Sequence, residues 1–402
     1  MKILFISSLN LATNPRFVKE IKLALANGFS ADVICFEFNN WSNAFNQQIK
    51  KDIGHANIYS IPAGRKPFLP WAVSVFWEKC YRLAGFLFPM PLSLQSKGVS
   101  RRSGLLVKQI KKLKQQQYNW VIGHNPGALY PVYFGAKNFN AQAAFDVEDY
   151  HPGEGNNPGE QRLTKLLMNE LLPKMDYVSF ASPLMKKKHI EDCGKEGKNW
   201  TVVLNFFAAD DFKKLPTGTN NNHLLKLVWF SQNINYKRGL EQVIPALDAY
   251  KDKIELTLIG NMKEEFYKEY VAHRPHIKII QKKKKKALHH LMGNFDIGLA
   301  IEPGKDKNNF IALANKLITY FQSGLYILAS DTPAHIDFLN TFPQHGMAVN
   351  LEKENVPSAL NKLLLSAKEI QENKNTRMAA SAAYSWEKES EKLLQLWKNT
   401  SA

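Results

Sequence analysis

The feature that most constrains this chain is a repeated alternation of short apolar runs with longer helical patterns. Residues 2–7, 31–36, 118–124 and 141–147 are apolar runs without a strict polar face, and helical patterns separate them. One of these helices is bounded by Asn14-Pro15 before its first turn and by Gly28 after its last. Strands that are buried on both faces and separated by helices predict an α/β fold with a parallel sheet covered on both sides.

The alternation occurs twice, on either side of a polar break. Residues 213–226 are rich in Gly, Pro and Asn, and the same pattern resumes after them. A chain of 402 residues is too long for one ordinary core and fits two domains of about 150 to 200 residues. We therefore predict an N-terminal domain of residues 1–208 and a second domain of residues 209–384. An amphipathic C-terminal helix, residues 385–402, completes the chain.

Composition limits the partners and the compartment. The 53 basic and 36 acidic residues give a net charge of +17, which favours a nucleic acid, an anionic membrane or a phosphorylated ligand. No recognisable nucleic-acid-binding motif is present, so we expect no nucleic acid partner. Cys35, Cys80 and Cys193 lie far apart, as in proteins of a reducing compartment. The apolar stretch at the N-terminus is short and followed by polar residues, which is typical of a β-strand and not of a signal peptide, so we expect a cytoplasmic protein.

One segment, residues 67–92, is strongly apolar but interrupted by charges and bounded by prolines. It predicts peripheral contact with the cytoplasmic membrane and no crossing of it. Its aromatic side chains are either core or lipid-facing; they are Trp71, Phe76, Trp77, Phe86 and Phe88. The five lysines of residues 282–286 indicate a solvated loop or a site of attraction to phosphate or membrane.

Several segments occur in an order and spacing that resemble glycosyltransferase family 4, the group 1 enzymes. In the second half they are residues 227–247, 256–261, 287–302 and 315–334, and in the first half residues 14–34 and 121–137. The resemblance implies the GT-B fold, in which two Rossmann-like domains with parallel sheets face each other across a cleft and the C-terminal helix packs back on the N-domain. It also implies that the second domain binds a nucleotide-sugar donor and the first domain the acceptor.

Donor-binding residues are expected where the strands of the second sheet end. Parallel sheets bind ligands at the carboxyl ends of their strands, and here those ends carry Ser231 and Gln232, Gly260 and Asn261, and Glu302. Gly260 lacks a side chain that would keep a base or ribose at a distance.

Two cations precede the next helix. Lys237 and Arg238 stand before Gly239, where they and the helix N-terminus would meet a diphosphate, and we expect Arg238 to be the main phosphate ligand. A solvated basic turn is the alternative.

A further helix start, at Asn315 and Lys316, is where the resemblance places backbone N–H groups against the phosphates. Family members often carry two glutamates here, and this chain has Ile311 and Thr319 in their places. Thr319 can hydrogen-bond a ribose hydroxyl but cannot act as a carboxylate. Glu302 is a candidate for the missing carboxylate, or an exposed residue at a strand end.

Candidate catalytic and acceptor-side residues follow strands of the first domain. His124 is a candidate general base because imidazole titrates near neutrality, and Arg16 is a candidate acceptor or phosphate ligand. Both have a structural role as the alternative. Glu148 and Asp149 are further catalytic candidates, as is Glu302 of the second domain, and His151 is an acceptor-side candidate. Glu148, Asp149 and His151 belong to a dense acidic cluster, in which Glu148 stands where relatives often have a histidine.

Carboxylates of that cluster could ligate a divalent cation. We nevertheless expect no metal and no cofactor, because the resemblance implies that cations and helix dipoles manage the diphosphate.

The sequence thus predicts a hexosyltransferase-type glycosyltransferase. It would move a sugar from a UDP- or GDP-sugar to a saccharide or polyprenyl-linked acceptor in the synthesis of a surface polysaccharide, such as lipopolysaccharide, or of a glycolipid. The resemblance implies retention of configuration. The alternatives are a nucleotide-sugar epimerase of the same fold and a catalytically silent binding module.

Overall fold

The computed structural model describes residues 1–38, 40–212, 224–304, 306–352 and 355–399. They form two compact units, one of Met1–Val203 with Lys392–Ala402 and one of Leu204–Glu391. Most of the polar segment 213–226, near which the boundary was expected, lies outside the described residues.

The first unit is built on a seven-stranded parallel sheet with the order β3-β2-β1-β4-β5-β6-β7. Its strands are β1 (Lys2–Ser7), β2 (Ser30–Glu37), β3 (Asn57–Pro62), β4 (Trp120–His124), β5 (Gln142–Val147), β6 (Tyr177–Phe180) and β7 (Trp200–Val202). Its helices are α1 (Pro15–Ala26), α2 (Asn43–Asp52), α3 (Phe68–Leu87), α4 (Leu92–Val99), α5 (Ser103–Lys112), α6 (Pro126–Phe139), α7 (Pro158–Leu171) and α8 (Pro183–Cys193). The central strands β1 and β4 are buried on both faces, which explains their continuous apolar runs.

Local capping determines where α1 begins and ends. The Asn14 side chain accepts the N–H of Phe17, and Pro15 occupies the first turn, where its missing N–H leaves no bond unmade. Gly28, at φ +75°, follows the last turn in the left-handed region that favours glycine. These are the residues that the sequence pattern indicated.

Helix α3 is the apolar segment of the first unit, and none of its residues is buried. Phe76 and Trp77 are 61% and 52% exposed, so the aromatic side chains of this segment do not belong to the core. No helix within the described ranges is both long and apolar enough to span a bilayer.

The second unit is built on a six-stranded parallel sheet with the order β10-β9-β8-β11-β12-β13. Its strands are β8 (Leu225–Ile234), β9 (Ile254–Met262), β10 (Ile277–Ile280), β11 (Ile297–Ala300), β12 (Tyr326–Ser330) and β13 (Gly346–Val349). Its helices are α9 (Leu240–Leu247), α10 (Glu264–Phe266), α11 (Lys285–Met292), α12 (Lys307–Ile311), α13 (Asn315–Gln322), α14 (Pro333–Thr341), α15 (Asn355–Leu365), α16 (Ala367–Glu372) and α17 (Lys374–Ser381). One core cluster contains residues of α9 and α15, and another contains residues of α13 and α14.

The last helix, α18 (Trp386–Lys398), begins in the second unit and ends in the first. The Trp397 indole is fully buried against Phe5, with ring centroids 6.3 Å apart, and its N–H donates to the Tyr177 hydroxyl at 2.9 Å. The end of the chain therefore packs on the N-terminal unit, as the resemblance implied.

Candidate functional site

A buried group of charged side chains lies at the carboxyl ends of β4 and β5. His124 is the last residue of β4 and Asp146 belongs to β5, while Arg16 and Glu20 project from successive turns of α1. Each of these four side chains is at most 1% exposed. Charges so far from water need partners, and their pairing determines what the group can do.

Arg16 and Asp146 form a bidentate ion pair. Arg16 Nε lies 2.8 and 2.9 Å from the two Asp146 oxygens, and Nη2 lies 2.7 Å from Oδ2. Arg16 Nη1 also donates to the Val203 carbonyl, and the Ser179 hydroxyl donates to Asp146. Burial alone would raise the pKa of Asp146, but Arg16 and His124 hold it below its ordinary range. Arg16 is thus occupied by structural contacts and has no exposed surface for an acceptor.

His124 is bonded to a carboxylate through each ring nitrogen. Nε2 lies 3.2 Å from Glu20 Oε2, and Nδ1 lies 3.0 Å from Glu148 Oε1. Ionised carboxylates only accept hydrogen bonds, so two ionised partners hold the ring as imidazolium. Burial raises the pKa of Glu20 and acts against this state, whereas Glu148 is in contact with solvent. Burial disfavours the charged form, but Glu20 and Glu148 prevail and raise the pKa of His124 to about 10. A ring that is already protonated and fully buried cannot take a proton from an acceptor, which argues against the expected general-base role.

Three of these residues have ligand atoms close enough to suggest a metal site. Atoms of Glu20, His124 and Asp146 all lie within 4.8 Å of one another. However, Arg16 binds both Asp146 oxygens, and the His124 nitrogens are directed at carboxylates. Arg16 supplies the positive charge that a cation would bring, so this donor set does not fit a divalent ion. The absence of a metal remains a prediction.

The residues after β5 divide between two environments. Glu148, with a side chain 20% exposed, joins the buried group through His124. His151 instead pairs with Glu154 at 2.9 Å. Burial lowers the pKa of His151, but the contact with Glu154 outweighs burial and raises the pKa above its ordinary value. The Asp149 carbonyl accepts the His151 N–H, and the Asp149 side chain is half-buried. Glu148 is therefore the one member of the buried group with appreciable contact with solvent.

In the second unit, the expected donor residues of β8 and β9 lie at the carboxyl ends of these strands. Gln232 and Asn261 are exposed, and Ser231 is half-buried. Gly260 is buried at φ +156°, and a Cβ there would lie 2.4 Å from the Ser231 carbonyl oxygen. The close approach of β8 is thus what requires glycine at this position, and a ligand is not needed to explain it.

The turn between β8 and α9 presents two cations. Lys237 and Gly239 both have positive φ, +62° and +82°. The Glu241 carboxylate accepts the backbone N–H groups of Lys237 and Arg238, so it already occupies the anion-binding position at the start of α9. Lys237 is exposed and Arg238 half-buried. Within the described part of the chain, the Arg238 guanidinium has no hydrogen-bond or ion-pair partner, which leaves it available to a ligand.

Glu302 and Lys316 pair with each other beyond the end of β11. Lys316 Nζ lies 2.6 Å from Glu302 Oε1 and 5.2 Å from the centre of the Trp229 ring, and the Glu302 N–H donates to the Ser330 hydroxyl. Asn315 is exposed at the first position of α13. Thr319 is 1% exposed, and its hydroxyl donates to the Asn315 carbonyl at 2.9 Å. The structure therefore does not present Thr319 to a ribose.

Two residues that matter to these sites did not emerge from the sequence patterns. Glu20 lies one turn after Arg16 on α1, and that i, i+4 spacing of opposite charges was the available signal. Glu241 lies in the first turn of α9, the usual place for an acidic residue that binds free N–H groups.

Comparison of structures finds proteins with a similar fold, whereas comparison of sequences finds no related family. No family model matches the chain, and no curated protein matches it by sequence. HepE of Anabaena, solved in complex with UDP, has 14% identity and a TM-score of 0.67 over 99% of this chain and 100% of its own. A glycosyltransferase of Rickettsia africae has 14% identity and a TM-score of 0.66 over 99% and 98% of the two chains. Sucrose-phosphate synthase of Thermosynechococcus elongatus has 12% identity and a TM-score of 0.65 over 99% of both.

Each of these structures is matched over 98% or more of its own length and over 99% of this chain. Membership of glycosyltransferase family 4 in particular remains a prediction, since the identities are low. Two parallel α/β units with a final helix that returns to the first unit, matched over full length by glycosyltransferases, identify this chain as a protein of the GT-B fold.

Proposed function

We propose that this protein is a glycosyltransferase that moves a sugar from a UDP- or GDP-sugar to a saccharide or lipid-linked acceptor. The donor binds to the second unit, and the reaction retains the anomeric configuration. The observation that carries the proposal is the Arg238 guanidinium, which has no side-chain partner within the described residues and stands beside Lys237 at the end of a parallel strand. The fold and the UDP and UDP-glucose found in HepE structures support it.

The chemistry of the site suits a diphosphate. Two adjacent cations can pair with phosphate oxygens and stabilise the charge that grows on the leaving diphosphate. The start of α13 adds backbone N–H groups, because its N-cap, Ala314, offers no side chain to satisfy them. In this proposal the protein itself neutralises the leaving group, without a metal ion.

The test is calorimetric titration with UDP, GDP, dTDP and CMP, with and without magnesium. We expect one nucleotide diphosphate to bind without metal. Arg238→Ala should weaken its binding by about 2 kcal/mol or more, roughly thirtyfold, because a charge-assisted hydrogen bond is lost. The control is Lys251→Ala, which removes the same charge from an exposed position before the amino end of β9. Equal affinity in the Arg238 and control variants would refute this donor site.

Activity on the donor separates the remaining functions. We expect slow release of the nucleotide from the sugar nucleotide that binds, and faster release with an extract of lipid-linked saccharides. Binding without any turnover would instead indicate a silent binding module. Interconversion of the sugar without release would indicate an epimerase.

We further propose that α3 rests on the cytoplasmic face of an anionic membrane and brings a lipid-linked acceptor to the first unit. Phe68, Phe76, Trp77, Leu83 and Phe86 are each more than half exposed on it. Cations lie against its aromatic rings: Arg65 and Arg101 at Trp71, Lys97 at Tyr81 and Arg162 at Phe86. An apolar helix bordered by cations suits lipid tails below and anionic headgroups around it.

Sedimentation with lipid vesicles tests this contact. We expect binding to vesicles of phosphatidylglycerol and phosphatidylcholine, and weaker binding to phosphatidylcholine alone. Phe76→Ser with Trp77→Ser should reduce binding at least fivefold without loss of stability, because neither residue is buried. Leu365→Ser is the matched control, since Leu365 is 88% exposed at the end of α15 in the second unit. Unchanged vesicle binding by the double variant would contradict the proposed contact.

A further inference from the structure

A pocket of about 900 Å³ opens at the carboxyl ends of the second sheet. It is formed by the first turns of α9, by the residues after β11, β12 and β13, and by α15. All of its lining belongs to the second unit. A concave site of this size at the strand ends of a parallel sheet is suited to a small ligand.

The lining of this pocket is acidic. It contains the carboxylates of Glu241, Glu302, Asp331 and Glu352, and none of the described residues that line it is a lysine, arginine or histidine. Among the described residues, Lys316 forms an ion pair with Glu302, and the other three carboxylates have no such partner. Glu241 accepts backbone N–H groups, and Asp331 accepts a hydrogen bond from the side-chain amide of Asn350. The negative potential inside the pocket is therefore largely uncompensated, and an anionic ligand would be repelled.

A second observation points to a polar ligand here. Thr332 lines the pocket and is 3% exposed, and its hydroxyl has no hydrogen-bond partner within the described part of the chain. Gln242, also in the lining, has a buried side-chain oxygen without a partner there. Such groups are normally satisfied. Both atoms are buried, so a rotation of the side chain into the pocket would bring each of them to a ligand or water that donates or accepts a hydrogen bond.

The pocket adjoins the cations of the donor site. Glu241 lines it and at the same time accepts the backbone N–H groups of Lys237 and Arg238. Glu241 thus joins the pocket to the turn that carries both cations, which makes the pocket a candidate site for one substituent of a diphosphate bound at that turn. A hexose offers several hydroxyl donors to carboxylates, whereas a nucleobase offers few, so the acidic lining matches the sugar.

We propose that this pocket takes the hexose of the donor and selects a neutral or amino-substituted hexose against a uronic acid. The inference rests on the proposed function and specifies its substrate class. Carboxylates accept hydrogen bonds from hydroxyl and ammonium groups, while a sugar carboxylate would meet the like charges of Glu241, Asp331 and Glu352, which have no ion-pair partner among the described residues.

The experiment compares donors that differ only at one carbon. We would measure the affinities of UDP, UDP-glucose and UDP-glucuronate by calorimetry at low salt, or of GDP, GDP-mannose and GDP-mannuronate if GDP is the nucleotide that binds. The expected result is at least tenfold weaker binding of the uronic acid donor than of its neutral partner. The difference should shrink at high salt, because Asp331 and Glu352 are exposed.

Charge-neutralising variants assign the effect to this pocket. Asp331→Asn with Glu352→Gln should reduce the discrimination at least threefold and leave the affinity for the free nucleotide unchanged. Glu372→Gln, an exposed residue of α16, is the matched control and should change neither quantity. Both altered positions are exposed, so folding is expected to persist.

The outcomes separate this inference from the proposed function. If the nucleotide binds but the two sugar donors bind equally, or the uronic acid binds more tightly, the inference is wrong and the donor site stands. Discrimination that survives in the double variant also overturns it. If neither UDP nor GDP binds, the proposed function fails and this inference fails with it.

Discussion

The buried ion pair between Arg16 and Asp146 allows a quantitative prediction of stability. Arg16→Met removes three close contacts to Asp146 and one donor to the Val203 carbonyl. It leaves a carboxylate that is 1% exposed, with the Ser179 hydroxyl as a hydrogen-bond donor and His124, 3.9 Å away, as the nearest remaining cation. Breaking a buried pair in this way costs about 3–5 kcal/mol, and an unmet carbonyl adds about 1 kcal/mol. We expect the first unit to lose about 5 kcal/mol.

The double variant Arg16→Met with Asp146→Leu tests the reasoning. Removing both charges leaves only the Ser179 hydroxyl and the Val203 carbonyl without their partners, which costs about 2 kcal/mol in total. The double variant should therefore be more stable than the single one. A loss that arises from packing alone would instead grow with the second substitution.

Hydrogen exchange followed by mass spectrometry is the suitable assay, because it reads each unit separately. Peptides from Trp120–His124 and Gln142–Val147 report the first unit, and a peptide from Ile254–Met262 serves as an internal control. The loss of stability caused by Arg16→Met should be smaller at pH 5 than at pH 7, because Asp146 without Arg16 takes up a proton more easily at the lower pH. A loss below about 2 kcal/mol, or a double variant less stable than the single, would refute the account.

Two further predictions concern buried positions. The pKa of His124 is about 10 in the folded state and about 6.5 in the unfolded state. Protonation of His124 therefore contributes its full stabilisation of the fold below about pH 6.5, and this contribution is lost as the pH rises toward 10. The difference in urea midpoint between the wild type and His124→Gln should therefore shrink from pH 7 to pH 10, and a growing difference would contradict the imidazolium assignment. Gly260→Ala should destabilise the second unit by about 2 kcal/mol or more, because of its positive φ and the close Ser231 carbonyl. The control Gly104→Ala, in α5, should be neutral or stabilising by up to about 1 kcal/mol in the same thermal unfolding experiment.

Much of the fold was readable from local sequence. The apolar runs of β1 and β4 indicated central parallel strands, and Asn14-Pro15 and Gly28 indicated the ends of α1. Such signals act within a few residues, since caps and strand periodicity depend on neighbours along the chain. The order of these units supported the GT-B fold, which the solved structures confirm.

Local sequence could not determine which polar residues would be buried together. Arg16 and Asp146 are 130 positions apart, and only the pairing of β1, β4 and β5 places them in contact. His124 therefore looked like an accessible base, although its surroundings hold it protonated. Thr319 looked available to a ribose, but α13 directs its hydroxyl back to a carbonyl of its own helix.

The same limit applied to surfaces and to charge. The apolar pattern of α3 is compatible with a core helix and with an exposed one, and only the packing of the first unit leaves Phe76 and Trp77 more than half exposed. The carboxylates of the acidic pocket come from the ends of different strands and helices, so no spacing in the sequence brings Glu241, Asp331 and Glu352 together. Residue type and periodicity determined the elements, whereas contacts between distant segments determined burial and ionisation, because both depend on distances that only the folded chain defines.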